Sequence, residues 1–341
     1  MDERERLLAV LRSEPVDRAP CICPMQTGTI DLMKASNAFW PEAHDKPAAM
    51  ARLALAANRF AGLESVRVPF DVNVDASAFG TAVSDRSLKR HPSVLESPLS
   101  TKENLRNLES PDPQIAGKAP ILLEAIEMVH RASASLPIIC GIASPHMLAF
   151  QLRGEQEAAA DMKKDPQFLK IILHKAKTWA IDFAMAAAER GADVIALMDP
   201  YASGDFLTPD QYKEFAWHYQ SKICKELGKL DIPIILHICG NTTSDLSLMI
   251  STGANGLSID HEVDIAFAKR LAGRKTAIIG NLSPTTVLLE GEPLDVIAAT
   301  NQCLEAGVDA VAPGCGFALE TPLRNMRAMV DATHEYAKKG R

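Results

Sequence analysis

Eight short apolar runs, each bounded by turn residues and separated by stretches of helical spacing, constrain this chain more than any other feature. They are APCICPM (19–25), SVRVPFDV (65–72), LPIICGIAS (136–144), ADVIALMDP (192–200), IPIILHICG (232–240), NGLSIDHE (255–262), KTAIIGNLSP (275–284) and VDAVAPGCG (308–316). Near-continuous Val, Ile, Leu and Ala mark strands covered on both faces, as in parallel sheets. Helical patterns lie between them, clearest in DPQFLKIILHKAKTWAIDFAMAAAERG, which stops at Gly191, and in PDQYKEFAWHYQSKICKELGKL. Strand–helix alternation repeated eight times predicts an α/β fold, a single (β/α)8 TIM barrel over residues 1–341. An open doubly wound sheet is the competing arrangement, but it does not naturally put chemistry at the ends of so many strands.

Two segments stand outside the alternation. The opening MDERERLLAVLRSEPVDRAP reads as an amphipathic helix with Leu7, Leu8, Val10 and Leu11 on one side, and its charge is wrong for a signal peptide. Residues 73 to about 120, rich in Ser, Pro and Asn, read as an insertion after the second strand, a hairpin or excursion over the barrel mouth. The chain is 47% hydrophobic and 23% charged, the balance of a soluble globular protein. No run approaches the roughly 20 apolar residues of a membrane span, so a cytoplasmic enzyme is expected. A formal charge of −7 without a basic block disfavours nucleic acid as a partner.

The unusual polar residues fall where the runs end. Asp71 closes the second, Asp199 the fourth, His237 and Cys239 the fifth, Asp260, His261 and Glu262 the sixth, Asn281 the seventh and Cys315 the eighth. In a parallel barrel all these ends share the face on which active sites form. His237 and Cys239 are two apart in a strand, so their side chains leave on one side and reach a common ion. Gly240 follows them, and Gly314 and Gly316 flank Cys315. An imidazole with two thiolates suits zinc, and three protein ligands leave a fourth position for substrate. The competing reading at this point is a buried histidine among inert core thiols.

Seven cysteines in a chain without a secretory signal point away from disulfides. Cys21 and Cys23 lie in an apolar run without a histidine and are expected in the core, as are Cys140, Cys224 and Cys303. His174 and His218 sit in helical patterns and are expected at the surface or in packing. Asp199 and Asp260 are candidate catalytic residues: they would orient ligands, supply a fourth ligand, or accept the substrate proton. Alternatively, Asp199 caps the turn that follows it in DPYASG.

With these residues in view the chain resembles the uroporphyrinogen decarboxylase superfamily, and within it the methylcobalamin:coenzyme M methyltransferases. The motifs are RERLLAVLRSEPVDRAP, PMQTGTIDLM, WPEAH, VPFDV, DPYASGDFLTP, LHICGN, GNLSP, APGCG and ETPLRNMRAMV, spread over essentially the whole length. The resemblance implies one Zn2+ per chain held by His237, Cys239 and Cys315. It also implies methyl transfer from methylcobalamin, carried on a separate corrinoid protein, to the thiol of coenzyme M. The metal would serve to make that thiol a thiolate. No D-x-H-x-x-G corrinoid-binding signature occurs in the chain, in keeping with a partner that carries the corrinoid. The decarboxylases of the superfamily grip porphyrin carboxylates with an arginine-rich segment near the start, whereas CPMQTGTIDL here holds no arginine. Other thiols or a pterin are the alternative acceptors, a metal-independent decarboxylase the alternative enzyme, and a non-catalytic docking partner a third reading. Arg153 and Lys102 are candidates for the coenzyme's sulfonate.

Overall fold

The computed structural model describes residues 1–84, 93–99, 101, 105 and 109–339. Nine strands occur among them: β1 (Val66–Val68), β2 (Ala82–Val83), β3 (Val94–Glu96), β4 (Ile138–Ala143), β5 (Val194–Met198), β6 (Ile234–Ile238), β7 (Gly256–Ile259), β8 (Ala277–Leu282) and β9 (Ala310–Pro313). Seven of them make one curled, wholly parallel sheet in the order β1-β4-β5-β6-β7-β8-β9. Apart from the inserted hairpin, each strand therefore pairs with the next in the chain, with helices returning between them. β4, β5, β6 and β8 are buried along their whole length, which is why their sequences are apolar without alternation.

The first apolar run departs from expectation. It forms no strand and pairs only through a single parallel bridge, Cys21 to Val311. The amides of Ile22 and Val311 donate to Val311 and Pro20 across that bridge. Toward β1 the Glu64 amide donates to the Cys21 carbonyl at 2.8 Å. The Cys21 and Cys23 amides, however, donate to the side chains of Glu64 (2.8 Å) and Ser65 (3.3 Å). Pro20 and Pro24 bracket the segment and supply no amides, so a regular ladder has too few donors to continue. β1 is cut short for the same reason, since Pro69 follows Val68.

The two faces of the sheet are distinct. Ile139, Val194, Ala196, Ile235, Ile279, Ala310 and Ala312 gather on the inner face with Leu7, Val10 and Leu11 from the helix Glu3–Leu11. That helix starts in a capping box between Asp2 and Glu5 and closes the N-terminal end of the inner face. Its expected apolar side is the one buried. The other face packs beneath the surrounding helices, among them the 24-residue Pro166–Glu189, capped by Asp165 and ended at Gly191 with φ +105°. The helical stretch from Pro209 to Gly228 widens into a π-helical turn at Tyr212–Trp217.

Within the insertion the described residues form the helix Val74–Ala78 and an antiparallel pair, β2 with β3. Lys102 lies outside the described residues. Cys21, Cys23, Cys140, Cys224 and Cys303 are buried and free, and His174 and His218 are exposed, as the sequence suggests. No helix among the described residues is long and apolar enough to cross a membrane.

Candidate metal centre

Three side chains from the C-terminal ends of β6 and β9 converge. His237, the fourth residue of β6, is fully buried, while Cys239 and Cys315 lie in the loops just past β6 and β9 and are half-buried. The Nε2 of His237 is 3.2 Å from the Sγ of Cys239, and that sulfur is 3.6 Å from the Sγ of Cys315. All three donor atoms fall within 4.8 Å of one another. With zinc bonds of about 2.3 Å to sulfur and 2.0–2.1 Å to nitrogen, a tetrahedron has edges of roughly 3.8 Å between sulfurs and 3.5 Å between sulfur and nitrogen. The donor set fits a zinc ion in spacing as well as in chemistry.

The imidazole is fixed from behind. Its Nδ1 faces the carbonyl of Ser258 at 3.0 Å and the Oγ of Ser258 at 3.1 Å, on the neighbouring strand β7. A proton on Nδ1 shared with the carbonyl leaves the Nε2 lone pair toward the sulfurs. Burial pushes the His237 imidazolium down, but hydrogen bonding and attraction from Cys315, with the Ser258 carbonyl, outweigh it and raise its basicity. The contact with Cys239 is the first cause holding the Cys315 thiol well below its ordinary value, against burial and with help from His237. The same contact pushes Cys239 up. The two sulfurs titrate as a pair, their shared contact lowering one thiol while it raises the other.

Glycines make room for these loops. A Cβ on Gly314 would lie 2.6 Å from the backbone nitrogen of His261, and one on Gly316 would lie 2.9 Å from the backbone nitrogen of Gln26. Gly240 has φ +74°, a left-handed conformation that turns the chain immediately after Cys239.

The two candidate carboxylates, Asp199 and Asp260, lie in the frame around the cluster. Asp199, just past β5, donates its backbone amide to the His237 carbonyl at 2.9 Å. Its buried carboxylate accepts from Ser144 Oγ (2.6 Å) and Gln220 (3.0 Å), and faces the Nδ1 of His146 at 3.1 Å. Tyr212 in the π-helical turn holds Gln220 in turn, at 2.8 Å. Asp199 thus braces the frame behind His237. Asp260 accepts from the Gly240 amide at 3.0 Å and pairs with His261 at 2.5 Å, which fixes the loop behind Cys239. Asp260, His261 and Glu262 form a second compact group, but two of its three members are exposed.

Arg153 is bound to Asp161 at 2.7 Å and to the Leu99 carbonyl at 2.9 Å, so its charge is already satisfied inside the protein. Sequence reasoning overlooked His146, Gln220 and Arg67. Their signal was faint: the first two lie in helical stretches, and Arg67 is the one charged residue in an otherwise apolar run, VRVPF.

The uroporphyrinogen decarboxylase family profile matches residues 2–336. A methylcobamide:CoM methyltransferase of Methanosarcina acetivorans, MtbA, is 38% identical over 334 residues, covering 98% of each chain. A methylcobamide:CoM methyltransferase of Methanosarcina barkeri, MtaA, is 38% identical over 337 residues with the same coverage. A solved methyltransferase from Methanosarcina mazei superimposes with a TM-score of 0.94 at 35% identity, over 98% of this chain and 99% of the other.

Proposed function

The chain belongs to the uroporphyrinogen decarboxylase family and to its methyltransferase branch, and from that premise we propose that it moves a methyl group from a methylated corrinoid, borne by a separate corrinoid protein, to the thiol of coenzyme M. His237, Cys239 and Cys315 would hold one Zn2+. The observation that carries this reading is the spacing of those donor atoms: 3.2 Å from His237 to Cys239 and 3.6 Å from Cys239 to Cys315 lie near the edges of a zinc tetrahedron, with all three atoms within 4.8 Å of one another. In this reading the Cys21 segment is the eighth member of a closed (β/α)8 barrel, and residues 1–341 work as one cytoplasmic domain.

Zinc in such a site supplies a cation that favours the thiolate of an acceptor over its thiol at neutral pH. The remaining work falls to the chain. Ser258 keeps the lone pair of His237 facing the sulfurs, and Asp199 and Asp260 hold the loops that carry the donors at a fixed spacing. Cys239 and Cys315 face the open end of the sheet and are half-buried, so a large methyl donor can approach from outside while His237 stays sealed. Beside this end lies a cleft of about 520 Å³ lined by Val72, Leu95, Met147, Phe150 and Tyr201. Leu95, on the inserted hairpin, is 66% exposed at the edge of that cleft.

The test is metal analysis together with methylcobalamin demethylation, using coenzyme M, homocysteine and tetrahydrofolate as acceptors. About one zinc per chain is expected, along with transfer to coenzyme M and loss of both in Cys239→Ser and Cys315→Ser. Full activity without zinc, or turnover of a porphyrinogen instead, would sink the reading.

A further inference from the structure

Arg67 is a buried cation that the chemistry above leaves without a role. It sits in the middle of β1 with 1% of its surface exposed. Its Nη2 contacts the Met198 sulfur at 3.1 Å, while Nε and Nη1 have no partner. Burial lowers its pKa to about 10, with Cys23, Cys140, Cys315 and the buried Asp75 pulling the other way, so it stays charged at neutral pH. A guanidinium sealed from water with two of its nitrogens lacking a hydrogen-bond acceptor is costly, and such groups ordinarily have a set of acceptors.

Its position follows from the register. Arg67 pairs with Ile139, an inner-face residue, so its side chain enters the same interior. Two residues further along β4, β5 and β6 from Ile139, Ala196 and Ile235 come Gly141, Met198 and His237 on that face, with Met198 and His237 paired in register. The guanidinium reaches this layer. A Cβ on Gly141 would lie 2.2 Å from Nη2 and 2.8 Å from Cζ, so β4 has a glycine where the arginine crosses it. Cys315 is among the sulfurs whose charge Arg67 feels.

We propose that Arg67 receives the terminal anion of the acceptor, a short thiol ending in a sulfonate, from the inner side of the His237–Cys239–Cys315 cluster. The inference rests on the thiol methyltransferase reading. A methyl donor too large to enter must come from the open end, so the tail of the acceptor is directed inward, where this cation lies. A planar fork of donors matches an oxyanion bearing several oxygens, and its charge discriminates against a neutral thiol of the same length. The tail anion would also supply the acceptors that Nε and Nη1 lack.

The experiment compares mercaptoethanesulfonate with mercaptoethanol as acceptors, with methylcobalamin as donor, in the wild-type protein, R67Q and R67K. R67Q should raise KM for the sulfonate roughly tenfold or more, the usual scale for a charged hydrogen bond, with kcat and the mercaptoethanol kinetics little changed. R67K should recover part of the loss. No change, or an equal loss with both thiols, overturns the proposal. A second measurement needs no catalysis and no variant: ethanesulfonate, which has no thiol, should raise the Tm of the zinc-free wild-type protein. Absence of that shift overturns the proposal even if R67Q fails to fold. Arg67-dependent ethanesulfonate binding in a protein that methylates no thiol would leave the anion site standing and remove the thiol reading. Undiminished transfer to mercaptoethanesulfonate in R67Q would do the reverse.

Discussion

A metal ligand is defined as much by what holds it as by what it donates. His237 has two candidate acceptors for its Nδ1 proton, the carbonyl and the hydroxyl of Ser258. Ser258→Ala removes only the hydroxyl and leaves the backbone acceptor, so the tautomer survives while the ring is held less firmly. Outer partners of this kind are typically worth about 10- to 100-fold in metal affinity, and the retained carbonyl places this variant at the lower end. Zinc competition against a chelator should show about a tenfold weaker site, and an unchanged affinity would mean that the carbonyl alone orients the ring. The convergence of His237, Cys239 and Cys315 was legible in the sequence because H-x-C obeys strand alternation and the cysteines sit beside glycines. Arg67 was not, because one charged residue in a strand discloses neither which face it takes nor what it lacks. Asp199 stood out as a strand-end carboxylate, but its three side-chain partners come from the helix Pro145–Arg153, the residue before it, and the helix His218–Gly228, contacts that no local pattern encodes.

At the scale of elements, the strands with unbroken apolar sequence were legible, and the segment at Cys21 was not. APCICPM has the composition of a buried strand, but its prolines and the side-chain acceptors of Glu64 and Ser65 replace a ladder. Periodicity cannot register such a substitution. Elements also position the site through their tight ends. The loop after β9 passes so close to the β7 loop that a Cβ on Gly314 would meet the His261 nitrogen at 2.6 Å. Neither backbone yields cheaply, because Asp260 ties the β7 loop to Gly240 and accepts Asn281 on its carbonyl at 2.8 Å. Gly314→Ala should therefore displace Cys315 from Cys239. Overpacking of this kind costs about 1–3 kcal/mol. Denaturant titration should give that loss, and metal analysis should show zinc falling well below one per chain. A destabilised variant that still holds full zinc would show that the loop moves without carrying Cys315.

For the molecule as a whole, one carboxylate ties the start of the chain to its end. Glu64 accepts from Arg6 (2.9 Å) in the first helix, from Arg18 (2.7 and 2.6 Å), and from the Cys21 amide (2.8 Å), and it faces His334 of the last helix at 3.4 Å. Burial alone would push its carboxyl up. The hydrogen bonds from His334, Arg18 and the Cys21 amide, with the charge of Arg18, win instead and hold it at about 2 against an ordinary 4.5. The folded value is the depressed one, so this contribution to stability is complete above pH 4.5 and is lost as pH falls toward 2. A depression of this size corresponds to roughly 3 kcal/mol. Because the clasp joins the first helix, the bridging Cys21 segment and the final helix, acid should open the molecule at the join between its two ends. Unfolding free energies followed from pH 6 down through this window (4.5 to about 2) should fall by about that amount in the wild-type protein. In Glu64→Gln the molecule should be less stable at neutral pH, since the Arg6 and Arg18 guanidiniums lose their carboxylate, and its acid slope should be shallower. Equal slopes in the two proteins would assign acid sensitivity to other carboxylates and leave Glu64 a packing residue.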